Sequence, residues 1–203
     1  MVINKFIFDL GKVIIKFKVE NLFKNFFKTD EEIKFFLDNV CTWEWHIQQD
    51  VKYDTSKAGD PLIKKYPKYK IPIKAFYGRF LEMIEGVYEE NLKIALDLKR
   101  QWKKIYVLSN FPGDQFDKYM KQNRYLEEFD DMIISGKVGL KKPDIKIYQL
   151  ALKKFDCIPS QTLFIDDRPE NTDSAKELGL NVITLDNPNK LKEYIKKFIW
   201  CLF

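Results

Sequence analysis

Only one histidine, His46, and three cysteines, Cys41, Cys157 and Cys201, occur in the 203 residues of the chain. A single histidine rules out two-histidine zinc sites of the HExxH kind, and any Ser-His-Asp triad would have to use that one residue. Three cysteines, odd in number and far apart, indicate no disulfide framework and fit a reducing cytoplasm. The N-terminus lacks the basic, apolar, small-residue order of a secretory signal. No apolar run reaches the length of a membrane span, and the sticky tail at 198–203 falls well short. Charge of one sign is also in short supply: 35 basic residues face 30 acidic ones, a net charge of +5. The small excess is diffuse except at Lys64, Lys65, Lys68, Lys70 and Lys74, which read as a solvated surface. Without zinc-finger spacing or an aromatic-basic single-strand motif, no nucleic-acid partner is expected. Any chemistry must therefore run on carboxylates, hydroxyls, lysine and a hard metal ion.

What is present describes a globular chain, 45% hydrophobic and 32% charged, long enough for one core or a core with a smaller insert. Residues 3–8 form a short apolar run, the pattern of a strand buried on both faces in a parallel sheet. Asp9 closes that run, and the backbone is expected to bend at Gly11. Residues 16–87 read as helical with no clear strand. Thr29-Asp30-Glu31-Glu32 has the form of a capping box, and Ile33, Phe36, Leu37 and Val40 follow at helical spacing. A second stripe, Phe76, Phe80, Met83 and Ile84, follows Pro72. Between them, Trp43 and Trp45 read as core residues. His46, Gln49 and Asp50 read as satisfied cap residues or as substrate contacts.

From residue 88 onwards helices and strands alternate, the signature of βαβ units. Strands are expected at 105–108, 132–135, 162–165 and 181–185, with a glycine- and proline-marked loop at 136–144. Pro169 suits the first turn of a helix and Gly179 its C-cap. The expected fold is α/β, a doubly wound, Rossmann-like three-layer core around a parallel sheet.

Four polar stations fall at or just beyond strand ends: Asp9, Ser109, Lys142 and the pair Asp166-Asp167. In a doubly wound sheet these ends share one edge, so the stations converge. Clustered carboxylates repel unless a cation joins them, and oxygen-only ligands select Mg²⁺, which shares phosphate oxygens readily. A hydroxyl and a lysine at the same edge complete what phosphoryl transfer requires: positioning, and neutralisation of developing charge. Taken singly, each station reads equally well as a cap or a turn.

The segments Phe8-Asp9-Leu10-Gly11-Lys12-Val13-Ile14, Val107-Leu108-Ser109-Asn110, Lys142-Pro143-Asp144 and Phe164-Ile165-Asp166-Asp167-Arg168-Pro169-Glu170-Asn171 together resemble the haloacid dehalogenase-like hydrolase superfamily, in order and spacing, across nearly the whole chain. The resemblance is to its phosphatase branch with a helical cap. It implies a core at 1–15 and 88–203, and an α-helical cap at 16–87 inserted into it. It implies Asp9 as the nucleophile that forms an aspartyl-phosphate, and Mg²⁺ held by Asp9, the Gly11 carbonyl and Asp167, with Asp166 helping directly or through water. Ser109 and Asn110 would bind the phosphoryl group, and Lys142 would pair with Asp9. The implied partner is a small phosphorylated metabolite, with a monomer or weak dimer as the assembly.

The departure from the family pattern is at Gly11, where phosphatases of the superfamily usually carry a second aspartate as general acid and base. A cap residue such as Asp50 or His46, a water, or a better leaving group (a sugar phosphate phosphorylated at its anomeric carbon, or an acyl phosphate) are the ways round that gap. Two other readings stay open. One is a binding or regulatory protein that keeps the fold without turnover; the other is a haloacid dehalogenase, which attacks carbon and needs no metal. A two-component receiver domain uses similar groups, but in the wrong chain order.

Overall fold

Alternation along the buried strands decides how the layers form. The computed structural model describes residues 2–199, so the end of the apolar tail, including Cys201, lies outside the described residues. Its strands are β1 (Lys5–Phe8), β2 (Ile15–Phe17), β3 (Ile84–Val87), β4 (Lys104–Ser109), β5 (Asp131–Ile134), β6 (Thr162–Asp166) and β7 (Asn181–Thr184). Five of them form a parallel sheet in the order β5-β4-β1-β6-β7. Phe6, Phe8, Ile105, Val107, Leu163 and Ile165 face one core, while Ile7, Tyr106, Leu108 and Phe164 face another on the opposite side. Successive side chains point to opposite faces of a strand, and here both faces are covered. That is why these strands read as unbroken apolar runs.

The chain runs outward from β1 through β4 to β5, then returns to the other side of β1 for β6 and β7. The reversal makes the carboxyl end of β1 a switch point, where open α/β sheets open a crevice. Phe8 pairs with Val107 on one side and Ile165 on the other, so Asp9 stands level with the ends of both neighbours.

Between β2 and β3 lie the helices Glu20–Phe23, Asp30–Asn39, Trp43–Ile47, Asp60–Lys65 and Lys70–Gly78. Thr29 caps the second of these with its side chain on the Glu32 amide, and Glu32 returns a bond to the Thr29 amide. Phe23, Phe36 and Phe76 are fully or almost fully buried, with Phe23 at 4.9 Å from Phe36 and 5.9 Å from Phe76, ring centre to ring centre. Burying each such ring is worth about 1.5–3 kcal/mol. The same buried cluster continues into the sheet at Phe6, Phe8 and Leu163, so these helices share their core with the strands.

The structure differs from the sequence expectations in five places. Residues 16–87 were expected to hold no strand, yet β2 and β3 pair antiparallel there. They are three and four residues long and far apart in sequence, so neither shows a local period. The stripe from Phe76 to Ile84 is divided among a helix, a 3₁₀ turn at Phe80–Met83 and the start of β3. The loop at 136–144 begins inside a one-turn helix, Ser135–Val138, ended by Gly139 at φ +70°. Trp43 is not a core residue but 48% exposed. Lastly, the backbone was expected to bend at Gly11, yet the turn after β1 falls at 12–14, with Lys12 at φ +57°. Gly179, at φ +83°, does end the helix Pro169–Glu177.

Backbone contacts clamp the helical segment onto the sheet. The Gly113 amide donates to the Lys52 carbonyl (3.1 Å), and the Asp114 amide donates to the Tyr53 carbonyl (2.7 Å). A Cβ on Gly136 would fall 2.6 Å from the Lys52 oxygen and closer still to the Gly113 nitrogen. Three backbone segments meet here at a distance that only glycine permits.

Candidate active site

The strand ends bring Asp9, Lys142, Asp166 and Asp167 to one place. Asp9 is fixed by its own amide, which donates to the Ile165 carbonyl of β6 at 2.9 Å. The Lys142 ammonium, 2% exposed, lies 2.9 Å from Asp9 Oδ1 and 2.5 Å from Asp166 Oδ2. Its third contact is a donated bond to the Leu108 carbonyl at 2.8 Å, so its three protons are all engaged. Asp166 Oδ1 accepts from the Arg168 amide (2.9 Å) and from Asn171 Nδ2 (2.8 Å). Asp166 is thus bound on both oxygens by the protein, and it orients Lys142.

Ser109 ends β4 and is buried, but it does not line the cavity beside these groups; Asn110 does. The Asn110 carboxamide accepts from the Lys142 amide (2.9 Å) and donates to the Lys142 carbonyl (3.0 Å). That side chain therefore holds the lysine loop against β4 and is fixed in doing so, with one N–H left over beside the backbone groups at position 110.

Carboxylate oxygens of Asp9, Asp166 and Asp167 lie within 4.8 Å of one another. Burial, opposed by Lys142 and reinforced by Asp166 and Asp167, pushes Asp9 up to about 7. Burial and the Asp166 charge push Asp167 up as well. Burial works against the Lys142 ammonium, yet Asp166 and Asp9 hold its pKa above the ordinary value. One lysine faces three carboxylates, so the cluster carries excess negative charge in a poorly solvated place. Hard oxygen donors at this spacing fit a small divalent cation.

The adjoining cavity has a volume of about 310 Å³. Asp9, Gly11, Lys12, Asp167 and Arg168 form its polar floor, and Phe17, Trp43, His46, Phe80 and Phe111 form an aromatic wall. Arg168, which the sequence reading left without a role, sits 5.6 Å over the Trp43 ring. A Cβ on Gly11 would lie 3.9 Å from Asp9 Oδ2, ordinary contact, so sterics do not demand glycine there.

Of the three residues singled out in the helical segment, His46 and Asp50 line the cavity and Gln49 does not. Gln49 donates to the Trp45 carbonyl at 3.0 Å, and its buried Oε1 has no partner among the described residues. His46 Nδ1 lies 2.8 Å from the Tyr77 hydroxyl. Burial lowers the imidazole from 6.5 to about 4. A histidine buried neutral loses stability for the fold as pH drops below 6.5, because the unfolded chain takes the proton first. We expect the wild type to lose about 3 kcal/mol more than His46→Gln between pH 7 and pH 4, read from denaturant titrations of both proteins.

Residues 7–185 match the haloacid dehalogenase-like hydrolase family. A D-ribitol-5-phosphate phosphatase of Bacteroides thetaiotaomicron is 31% identical over 126 residues, 54% of this chain and 61% of that protein. A sesquiterpene phosphatase of Aspergillus oryzae is also 31% identical, over 84 residues, 41% of this chain and 43% of its own length. The chain thus covers less than two thirds of either curated relative. Among solved structures, a HAD family enzyme from Bacteroides thetaiotaomicron, in complex with magnesium and inorganic phosphate, is 26% identical with a TM-score of 0.68, covering 90% of this chain and 93% of that one.

Proposed function

The chain belongs to the haloacid dehalogenase-like hydrolases, and from that membership and the geometry of the strand edge we propose that it is a Mg²⁺-dependent phosphatase of a small phosphomonoester. The observation that carries the proposal is the Lys142 ammonium shared by Asp9 and Asp166 beside a third carboxylate, Asp167. Asp9, the Gly11 carbonyl and Asp167 would hold Mg²⁺, with Asp166 completing the acidic set. Bound there, the ion supplies charge neutralisation for the phosphoryl oxygens.

In this reading Asp9 attacks phosphorus and becomes an aspartyl-phosphate, which water then hydrolyses. Lys142 aims Asp9 and favours its ionised form against the effect of burial. Asp166 and Asn110 keep Lys142 in place, one through its ammonium and the other through its backbone. The backbone at Asn110, which lines the cavity, receives the phosphoryl oxygens, and the buried Ser109 hydroxyl reaches them only if the β4 end shifts toward the ligand. Residues 16–87 act as a cap over a core at 1–15 and 88–203, and His46 and Asp50 meet the substrate from that side. The relatives include a phosphatase of ribitol 5-phosphate, which favours a small phosphorylated metabolite, and the sparse, scattered cysteines favour a reducing cytoplasm. The carboxylate cluster counts against a dehalogenase, which has no use for a metal.

Phosphate release from a panel of sugar, acyl and aryl phosphates tests the reading. Turnover with Mg²⁺, lost in EDTA and restored by adding Mg²⁺ back, is the expected result. Chloride release from 2-chloropropionate without metal would assign a dehalogenase instead. Absence of turnover on every ester would leave a binding protein.

A further inference from the structure

The catalytic edge has no evident proton source for the leaving group. Gly11 offers no side chain, the three protons of Lys142 are engaged, and His46 is held neutral by burial. Three acids line the cavity: Asp9, Asp167 and Asp50. Asp9 is the nucleophile and Asp167 belongs to the carboxylate cluster, which leaves Asp50.

Asp50 is only 5% exposed, yet among the described residues its carboxylate accepts no hydrogen bond. A carboxylate so nearly removed from water, with oxygens that open to the cavity and take no bond from the described protein groups, is costly, and a group that meets its counterpart only in the substrate complex is a physical reason for one. Neighbouring cations do not claim it: Lys141 donates to the Ile47 carbonyl (2.7 Å), and Arg168 pairs with Glu170 over the Trp43 ring. Its backbone is fixed, because Ser135 Oγ donates to the Asp50 carbonyl at 2.5 Å while accepting from the Phe111 amide at 2.9 Å. Ser135 follows β5 and Phe111 follows β4, so the sheet itself sets where Asp50 stands.

Resting on the phosphatase reading of the same site, we propose that Asp50 is the general acid and base of the reaction, acting from the helical segment in place of the missing side chain at position 11. As an Asp9 oxygen bonds to phosphorus and the ester P–O bond breaks, the Asp50 proton goes to the departing oxygen. Asp50, now a carboxylate, takes a proton from water as its oxygen bonds to phosphorus and the bond to Asp9 breaks. Asp9 is restored as a carboxylate, inorganic phosphate leaves, and Asp50 is protonated again. Burial pushes Asp50 up to about 7; Lys141, Arg168 and Lys142 oppose the rise and Asp9 adds to it. A group near neutrality populates both of the forms this cycle uses.

The test compares phenyl phosphate with p-nitrophenyl phosphate, esters of nearly one shape whose leaving groups differ in their need for a proton. In Asp50→Asn, kcat/KM for phenyl phosphate should fall by about 10²-fold and that for p-nitrophenyl phosphate by less than about threefold. On the nitrophenyl ester the variant should also show a burst, as the aspartyl-phosphate accumulates. Adding Gly11→Asp to Asp50→Asn should recover at least about tenfold for phenyl phosphate, which a structural role for Asp50 would not allow. An equal fall on both esters, or no fall, overturns the proposal while the phosphatase reading stands. Wild-type inactivity on these two and on every ester of the wider panel overturns the two together; activity on sugar phosphates alone moves the Asp50→Asn comparison to them, where an unchanged rate overturns the proposal. If Asp50→Asn does not fold, the wild type decides across substituted phenyl phosphates. A kcat/KM that hardly varies with phenol acidity supports proton donation, and a steep dependence overturns it.

Discussion

Asp9→Asn is expected to lower phosphate release by roughly 10⁵-fold or more, to the uncatalysed background. The carboxamide matches the carboxylate in shape but does not attack phosphorus, and no other side chain stands where Asp9 does. Its amide bond to Ile165 is unaffected, so the turn keeps its place. Metal-free stability should not fall, because one of three crowded carboxylates has been neutralised. Phosphate assays measure the rate, and acid-quenched labelling shows the covalent adduct on wild type alone. Residual turnover within about a hundredfold of wild type would place the nucleophile elsewhere.

Lys142→Met acts on both stability and rate. The methionine fills the space but leaves Asp9 and Asp166 buried without their cation and takes one donor from the Leu108 carbonyl. Breaking a buried pair on one side costs about 3–5 kcal/mol, so the metal-free variant should unfold at markedly lower denaturant. The activity should fall by about 10²–10³-fold, the scale of losing one charged stabiliser from a preorganised site. Added Mg²⁺ should restore more stability to the variant than it gives the wild type, because the ion then becomes the only positive charge in the cluster. Equal stabilisation of both proteins by Mg²⁺, measured by thermal unfolding, would show that the carboxylates do not share one ion.

The strand edge was legible in the sequence because its signal is local. An apolar run that ends in a polar residue marks both the strand and its functional end, as at Phe8-Asp9, Leu108-Ser109 and Ile165-Asp166. What stayed hidden depends on partners distant in the chain. Nothing near Asn110 indicates that its carboxamide holds the backbone of Lys142, 32 residues away. The pairing of β2 with β3 is equally invisible, since each strand is too short to display alternation. Trp43 reads as core by composition, yet it lies half in solvent beneath Arg168. Asp50 reads as a cap residue until burial without hydrogen-bonding partners sets it apart.

The antiparallel pairing of Phe17 with Ile84 also bears on how such proteins diversify. Everything between those two residues leaves and rejoins the sheet through one doorway. The entropy of closing a loop grows only with the logarithm of its length, so additions to the turns between the helices there cost the fold little, while the helices themselves stay bound to the core they share with the strands. In the phosphatase reading, the segment that meets the substrate can therefore lengthen or shorten in its turns, while the strand ends that would hold the phosphate keep their places. The glycines at 113 and 136, whose backbones approach that of Lys52, and Ser135, which holds the Asp50 carbonyl, mark where the two parts must stay matched.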